Sequence, residues 1–140
     1  MAFSGAVDLA LDTLTIEGNT AGEDGGGLSF ANTGSVAVEA GILTGNRAAR
    51  GGGIAVVGPP GWADQGSVFT DNVANAGGGS IYAEETATIL VDSWMTGGLA
   101  LMAEGGNLAV LGGSLAAERL GLGGGSAGYN GGNLAIRNGS

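Results

Sequence analysis

The feature that most constrains this chain is a repeat of 26 to 28 residues that covers most of its length. Each repeat contains a cluster of glycines, followed by a triplet whose first and third residues are apolar. The clusters begin at Gly25, Gly51, Gly77, Gly105 and Gly131, and the triplets are "LSF", "IAV", "IYA", "LAV" and "LAI". Alternation of inward and outward side chains is typical of a β-strand. Each triplet therefore predicts a short strand with its first and third residues in the core.

Two further sets of apolar residues recur with the same period. The first predicts a second inward column and contains Ile16, Leu43, Phe69 and Met95. The second predicts another strand per repeat and contains Leu9 with Leu11, Val36 with Val38, Ile89 with Val91, and Leu115 with Ala117. In the third repeat "VGPPGWADQ" takes the place of this strand, and its prolines predict a break because proline cannot donate a ladder hydrogen bond. At the tail, Gly121 stands where an inward residue is expected.

Asparagine or glycine recurs three residues after the second inward column. The residues are Asn19, Asn46, Asn72, Gly98 and, one step further on, Gly124. Asn and Gly are the residues that best tolerate the left-handed backbone conformation. The pattern predicts a left-handed corner at each of these positions.

Short strands, sharp corners and a period near 26 residues together predict an all-β fold, a parallel β-solenoid with three strands per coil. We expect one domain over residues 1–140, with five coils near 7–30, 34–56, 57–83, 86–110 and 113–136. A helical repeat is disfavoured because the 32 glycines leave no continuous apolar helix face. A propeller blade would need about 40 residues.

Charge and composition narrow the range of partners. Four arginines face 13 acidic residues, and with no lysine or histidine the net charge is −9. Nucleic acids and anionic membranes both require a basic patch, so neither is an expected partner. Cysteine is absent, which excludes disulfides and thiolate metal sites. No apolar run approaches the roughly 18 residues of a membrane helix, and the first residues lack the basic leader of a signal peptide.

Short motifs within the repeats carry a resemblance to a known family. Phe69–Asn72 matches the pattern Phe-x-x-Asn, and Ile16–Asn19 and Leu43–Asn46 match it with an aliphatic first residue. Gly51–Ile54 and Gly78–Ile81 are similar to Gly-Gly-Ala-Ile. These two patterns mark the repeats of polymorphic outer-membrane proteins, which are autotransporter-like surface proteins. The resemblance implies a right-handed parallel β-helix, an extracellular or cell-surface location and an adhesin-like role. The family's membrane barrel has no counterpart in these residues, so we expect no membrane insertion.

Stacked coils turn each outward position into a column of neighbouring side chains. One predicted column is acidic and reads Asp12, Glu39, Gln65, Asp92 and Glu118. Its carboxylates, Asp12, Glu39, Asp92 and Glu118, are candidate calcium ligands. The alternative is a solvated face that prevents sideways aggregation. We favour the solvated face and expect no cofactor, because Ca²⁺ takes about six or more oxygen ligands and one column supplies few.

Other outward residues predict a contact face. Thr44, Thr70 and Thr96 form one column, and Ile42, Val68 and Trp94 lie two residues earlier in each repeat. Such a flat face suits a partner protein, a sister molecule or ice, although Glu17 interrupts the threonine array that ice binding would need. Pro59, Pro60 and Trp62 predict a second contact, a stiff apolar tip in the third coil. In the corner after Asn46, Arg47 and Arg50 are expected to pair with Glu23 and Asp24.

We interpret the chain as a non-enzymatic, structural or adhesive solenoid that associates with itself head to tail. The chain enters its first coil within a few residues of Met1 and stops four residues after Ile136, with no capping helix at either end. Uncapped coils expose unpaired strand edges and apolar core, and so favour filaments.

One alternative is a β-helix that binds polysaccharide or cleaves it as pectin lyases do. Asp71, Asp92 and Arg47 make an unconvincing acid–base set for such chemistry. The other alternative is an ice-binding solenoid.

Overall fold

The computed structural model describes residues 1–5, 8–58 and 61–138. Within these residues the chain forms twenty short strands and no helix. The strands pair in parallel, and each pairing joins residues that lie about one repeat apart in the chain, as when Phe69 aligns with Met95 and Ile81 with Ile54. None of the described residues belongs to a helix long and apolar enough to cross a membrane.

The strands are named in chain order. The first coil contains β1 (Ala2–Ser4), β2 (Leu9–Asp12), β3 (Thr15–Glu17) and β4 (Leu28–Ala31). The second contains β5 (Val36–Glu39), β6 (Ile42–Thr44), β7 (Arg47–Ala48) and β8 (Ile54–Val57). The third contains β9 (Gly61–Gln65), β10 (Val68–Thr70), β11 (Val73–Ala74) and β12 (Ile81–Glu84). The fourth contains β13 (Ala87–Val91), β14 (Trp94–Thr96), β15 (Leu99–Ala100) and β16 (Leu108–Leu111). The fifth contains β17 (Ser114–Glu118), β18 (Gly121–Gly123), β19 (Ser126–Ala127) and β20 (Leu134–Arg137).

These strands stack into four parallel sheets, which makes the chain an all-β solenoid of five coils. Sheet I has the order β2-β5-β9-β13-β17, and sheet II has the order β3-β6-β10-β14-β18. Sheet III is β7-β11-β15-β19, and sheet IV is β1-β4-β8-β12-β16-β20. The fold class is therefore confirmed. The predicted right-handed sense is the one that crossover connections between parallel strands of one sheet nearly always take.

Sheet III was not predicted, so each complete coil has four strands instead of three. Its members are two residues long, as in Arg47–Ala48 and Val73–Ala74. A two-residue strand is too short to show alternation, and this is why the pattern did not reveal it.

The predicted columns of sheets II and IV lie in the core. In sheet IV, Leu28, Ile54, Ile81 and Leu108 are aligned and at most 1% exposed. In sheet II, Phe69 is fully buried and is aligned with Leu43 on one side and Met95 on the other. Phe3 adds a rung below the first predicted triplet, because its ring stacks on Phe30 with 5.4 Å between centroids.

Three predictions for sheet I were wrong. Residues 61–65 form the regular strand β9, in register with β5 and β13, so this strand is not broken. Trp62 is 2% exposed and lies in the core beside Val36, and is not a contact tip. Pro59 and Pro60 fall outside the described residues. Further along, Ile89 points outward and is 47% exposed, because Thr88 and Leu90 are the inward residues of β13.

Gly121 is also placed differently from the prediction. It aligns with the outward residue Trp94, while the next residue, Leu122, continues the inward column after Met95. A Cβ atom at Gly121 would lie 2.1 Å from the Trp94 ring. The glycine therefore leaves room for the indole to lie across the fifth coil.

The left-handed corners lie one residue before the predicted positions. Positive φ angles occur at Gly18, Gly45, Asp71, Gly97 and Gly124, and only Gly124 belongs to the predicted set. Gly124 aligns with Gly97, so that the fifth member of the predicted column is in fact Gly125. The prediction that Asn19, Asn46, Asn72 and Gly98 adopt this conformation was wrong.

The corner asparagines instead form a ladder of buried side-chain amides. Asn46 Oδ1 accepts from the backbone N–H of Asn19, and Asn72 Oδ1 accepts from the backbone N–H of Asn46, both at 3.0 Å. Asn72 Nδ2 donates to the carbonyl oxygen of Leu43 at 2.8 Å. Asn46 and Asn72 are fully buried. Their amide oxygens therefore accept from backbone N–H groups at the corner, and the amide nitrogen of Asn72 adds a hydrogen bond to strand β6.

In the last two coils, the side-chain amides of the ladder come from a different position of the repeat. Where Gly98 and Gly125 replace asparagine, Asn107 Oδ1 accepts from Gly98 N–H at 2.8 Å and Asn133 Oδ1 accepts from Gly125 N–H at 2.9 Å. Asn107 Nδ2 also donates to Asn133 Oδ1 at 2.8 Å. Asparagine thus moves from one column of the repeat to a facing one while its hydrogen-bonding role is kept.

Glycine is required at the turn before sheet IV. Gly78 has a φ of 58°, and a Cβ atom there would lie 2.0 Å from the carbonyl oxygen of Ile81. The same turn recurs at Gly25, Gly51, Gly105 and Gly131. This requirement explains why glycine clusters mark the period.

Candidate functional site

The two end faces of the solenoid expose the core. Among the apolar residues that pack on the core but are only partly buried, Phe3, Leu9, Leu11, Leu14 and Ile16 belong to the first coil. Leu115, Leu120, Leu122 and Leu134 belong to the fifth. The corresponding residues of the middle coils, such as Phe69 and Ile81, are fully buried. Among the described residues, each apolar column thus ends in partly buried residues at both end faces.

The end faces also carry the edges of the sheets. β17, β18, β19 and β20 are the last strands at one end, and β1, β2, β3 and β7 are the outermost strands at the other. An edge strand presents backbone N–H and C=O groups that can pair with another strand. All described pairings are parallel, so a further strand that continued either edge would also have to lie parallel to it.

An exposed apolar stripe runs along sheet II. Ile42, Val68 and Trp94 are aligned in neighbouring coils and are 48%, 41% and 59% exposed. The predicted column of Thr44, Thr70 and Thr96 lies beside them in register. Glu17 and Gly123 occupy the threonine position in the first and fifth coils. The threonine array is thus three rungs long, and the stripe is a short contact surface.

The acidic column is shorter than predicted. Asp12, Glu39 and Gln65 are aligned, but Val91 and not Asp92 comes next, followed by Glu118. Among the described residues, no group of three or more carboxylates comes together in a way that could hold a metal ion.

Asp92 has a different partner. It forms an ion pair with Arg119, whose Nη2 donates to Asp92 Oδ2 at 2.8 Å, and Arg119 also pairs with Glu118. This hydrogen bond from Arg119 lowers the pKa of Asp92. Two of the four candidate calcium ligands are therefore engaged by an arginine.

A network of charged residues lies on the outer face of sheet IV. Arg50 makes the predicted pair with Asp24, through two hydrogen bonds of 2.7 Å, and also donates to Glu84 at 3.0 Å. The guanidinium lies 5.0 Å from the centre of the Tyr82 ring. The Tyr82 hydroxyl donates to Glu84 at 3.0 Å, and burial raises the pKa of this tyrosine. The hydrogen bond to Asp24 raises the pKa of Arg50, so that this arginine stays charged.

Next to this network is a cleft of about 370 Å³ that spans coils three to five. We call it the tyrosine cleft, and we define it by the side chains of Tyr82, Met102, Glu104, Tyr129, Asn130 and Arg137. Tyr82 is 4% exposed and forms part of the floor, while Tyr129 is 74% exposed at the rim. Glu104 accepts a hydrogen bond from Asn130 Nδ2 at 2.9 Å and pairs with Arg137.

Sequence reasoning did not identify the tyrosine cleft. Tyr82 is the middle residue of its triplet, where the other four triplets have serine or alanine, and this difference was the available signal. Tyr129 and Glu104 precede the glycine turn, in segments whose course the repeat does not define. The pattern reveals which residues enter the core, and it contains little information on how corner segments cover an outer face.

A buried carboxyl group lies in the core between coils three and four. Asp64 is 1% exposed, and its Oδ2 accepts a hydrogen bond from the hydroxyl of Ser93. Its Oδ1 has no hydrogen-bond partner among the described residues. Burial raises the pKa of Asp64, because removal from water disfavours the charged form.

Comparisons with protein-family models, with curated proteins and with solved structures found no match for this chain. The resemblance to the repeats of polymorphic outer-membrane proteins is therefore limited to the short motifs, and no family match supports it.

Proposed function

We propose that this chain is a non-enzymatic structural module of the cell surface or extracellular space, which associates end to end into filaments. The observation that carries the proposal is the exposure of core columns at both end faces. Ile16 and Leu122 occupy the two ends of the column whose middle members, Leu43, Phe69 and Met95, are fully buried. Contact between the two faces of neighbouring molecules would bury both ends of every column.

Apolar burial supplies the driving force. Burial of apolar surface stabilises an association by roughly 25 cal/mol per Å². Parallel strand pairing at the same interface satisfies the edge N–H and C=O groups. Because the two faces differ, the contact is heterologous and does not close, and therefore produces a filament. The net charge of −9 favours single filaments over lateral bundles at low ionic strength.

The location is supported by the motifs. Phe69–Asn72 and the glycine-rich turns are similar to the repeats of polymorphic outer-membrane proteins, whose passengers lie outside the cell. Protease treatment of intact cells that produce the native protein tests this part of the proposal. We expect the protein to be cleaved or released while cytoplasmic proteins stay intact, and full protection would contradict a surface location.

Sedimentation velocity over a range of protein concentrations tests the assembly. We expect species that grow with concentration, and rods in negative-stain micrographs. Leu122→Glu places a charge on one end face and should abolish this growth. Val68→Glu, the same type of change on the side of the solenoid, should leave it unaltered. A 13.4 kDa monomer at every concentration would contradict the proposal.

A further inference from the structure

We propose that the tyrosine cleft is a binding site for an uncharged saccharide. This site lies on the side of the solenoid and does not depend on end-to-end association. Its volume of about 370 Å³ lies near the lower end of the range for small-molecule sites, about 300–1,000 Å³. The cleft therefore suits one or two sugar rings, either free or within a longer chain that continues into solvent.

The aromatic residues supply apolar surfaces on which a sugar ring can pack. Tyr129 is 74% exposed, and Met102 beside it is 70% exposed. Both border a floor that includes Tyr82 and Ala109, which are at most 4% exposed. An aromatic face is apolar and electron-rich, and it suits the C–H groups on one face of a pyranose. The rim of the cleft is thus exposed, while its floor is buried.

The polar residues match the hydroxyl groups of a sugar. Glu104 is held by Asn130 and Arg137, and both of these bonds use its Oε1. The hydrogen bonds among the described residues leave Glu104 Oε2 and Asn130 Oδ1 free to accept from sugar hydroxyls. Arg137 has five N–H donors, and its side chain is 59% exposed. The cleft thus offers acceptors and donors within one small site.

Charge favours a neutral ligand over an acidic one. Glu104 and Arg137 neutralise each other within the cleft. The molecule as a whole has a net charge of −9, which repels polyanions such as polyuronates. The arginines offer no compensating basic patch, because Arg50 and Arg119 are each paired with two carboxylates.

Isothermal titration with cellohexaose and mannohexaose tests the proposal, and hexagalacturonic acid serves as the acidic comparison. We expect saturable binding of at least one neutral hexasaccharide with a Kd of about 1 mM or lower, and no binding of the acidic one. Tyr129→Ala should weaken the binding by about tenfold or more, which corresponds to 1.4 kcal/mol. Trp94→Ala removes another exposed aromatic residue, on sheet II, and should leave the affinity unchanged.

Three results would overturn the proposal. The first is that neither neutral hexasaccharide gives a heat change up to about 10 mM, which is ten times the expected Kd. The second is that Tyr129→Ala binds with unchanged affinity. The third is that only hexagalacturonic acid binds. Circular dichroism of Tyr129→Ala excludes a folding defect, which is not expected because the side chain is exposed. Asn130→Ala provides an independent variant, and it too should bind more weakly.

Discussion

Phe69 shows most directly how single residues hold the coils together. Its fully buried ring lies between Leu43 and Met95, so its removal would leave a cavity in the core. Phe69→Ala should lower the free energy of unfolding by about 3–5 kcal/mol. Thr70→Ala, at the adjacent outward position, should change it by about 0.5 kcal/mol or less. Urea denaturation of both variants measures the difference, and a loss below about 1 kcal/mol for Phe69→Ala would place the ring outside the core.

Asp64 makes part of the stability depend on pH. Burial raises its pKa in the folded chain, so that its contribution to stability is fully present below the unfolded pKa of about 3.9. This contribution is lost as the pH rises through the folded pKa, since the core must then hold a charge. Asp64→Asn should remove the effect, and its stability relative to the natural protein should increase between about pH 4 and pH 7. Melting curves across this range provide the measurement.

The matched control for this pH dependence is Glu39→Gln. Glu39 is exposed and its substitution also removes one carboxyl group. The stability of the Glu39→Gln variant relative to the natural protein should not show the increase with pH that is expected for Asp64→Asn. Identical profiles for the two variants would mean that the pKa of Asp64 is not raised in the folded protein.

Residues such as Phe69 could be predicted from the sequence, because large apolar side chains at a fixed period must enter the core of a solenoid. Trp62 and Asp64 could not. Two prolines before them predicted a broken strand, and a carboxyl group is rarely buried in the core. Ile89 was misplaced by one residue because strand periodicity is 2, so a shift of one residue in the alignment exchanges the inward and outward faces.

At the scale of structural elements, the asparagine ladder holds the corner between sheets II and III. Asn72→Gly would leave the N–H of Asn46 without its side-chain acceptor and would remove one hydrogen bond to the carbonyl oxygen of Leu43. A buried group without a partner costs about 1–3 kcal/mol, so we expect a loss of at least about 1 kcal/mol. Thermal or urea denaturation measures it.

Asp71→Gly is the control for this change, because Asp71 has the positive φ angle of the corner, 52°. Glycine adopts this conformation without strain, and the variant should be as stable as the natural protein or more stable by up to about 1 kcal/mol. If Asn72→Gly were harmless and Asp71→Gly destabilising, the left-handed conformation would belong to Asn72 and not to Asp71.

Element by element, the sequence contains more information on long strands than on corners. The triplets of sheet IV were predicted because each is bounded by a turn that only glycine can form, as at Gly78. The strands of sheet III were not, since two residues carry no period. The ladder was misread for a related reason. Asn and Gly alternate in its column because Asn107 and Asn133 provide the amide from a facing position, and not because both residues share one backbone conformation.

At the scale of the whole molecule, a stack of five coils is only about 24 Å tall at about 4.8 Å per coil. Its two end faces are therefore a large part of its surface. The two end faces differ from each other, and the proposed filament requires that unlike faces meet. This requirement separates head-to-tail association from a symmetric dimer, which would use one face twice.

Two variants blocked at opposite ends test this requirement. Ile16→Glu places a charge on the first coil, and Leu122→Glu places one on the fifth, so each variant keeps one intact face. Each alone should sediment as a monomer near 13.4 kDa, because its intact face finds only blocked partners. An equimolar mixture should form a dimer and nothing larger, since one intact face of each kind remains. If either variant alone dimerised, like faces would be meeting and the filament proposal would fail. Circular dichroism of each variant checks that the middle coils remain folded, as expected when only a half-exposed residue of an end coil is changed.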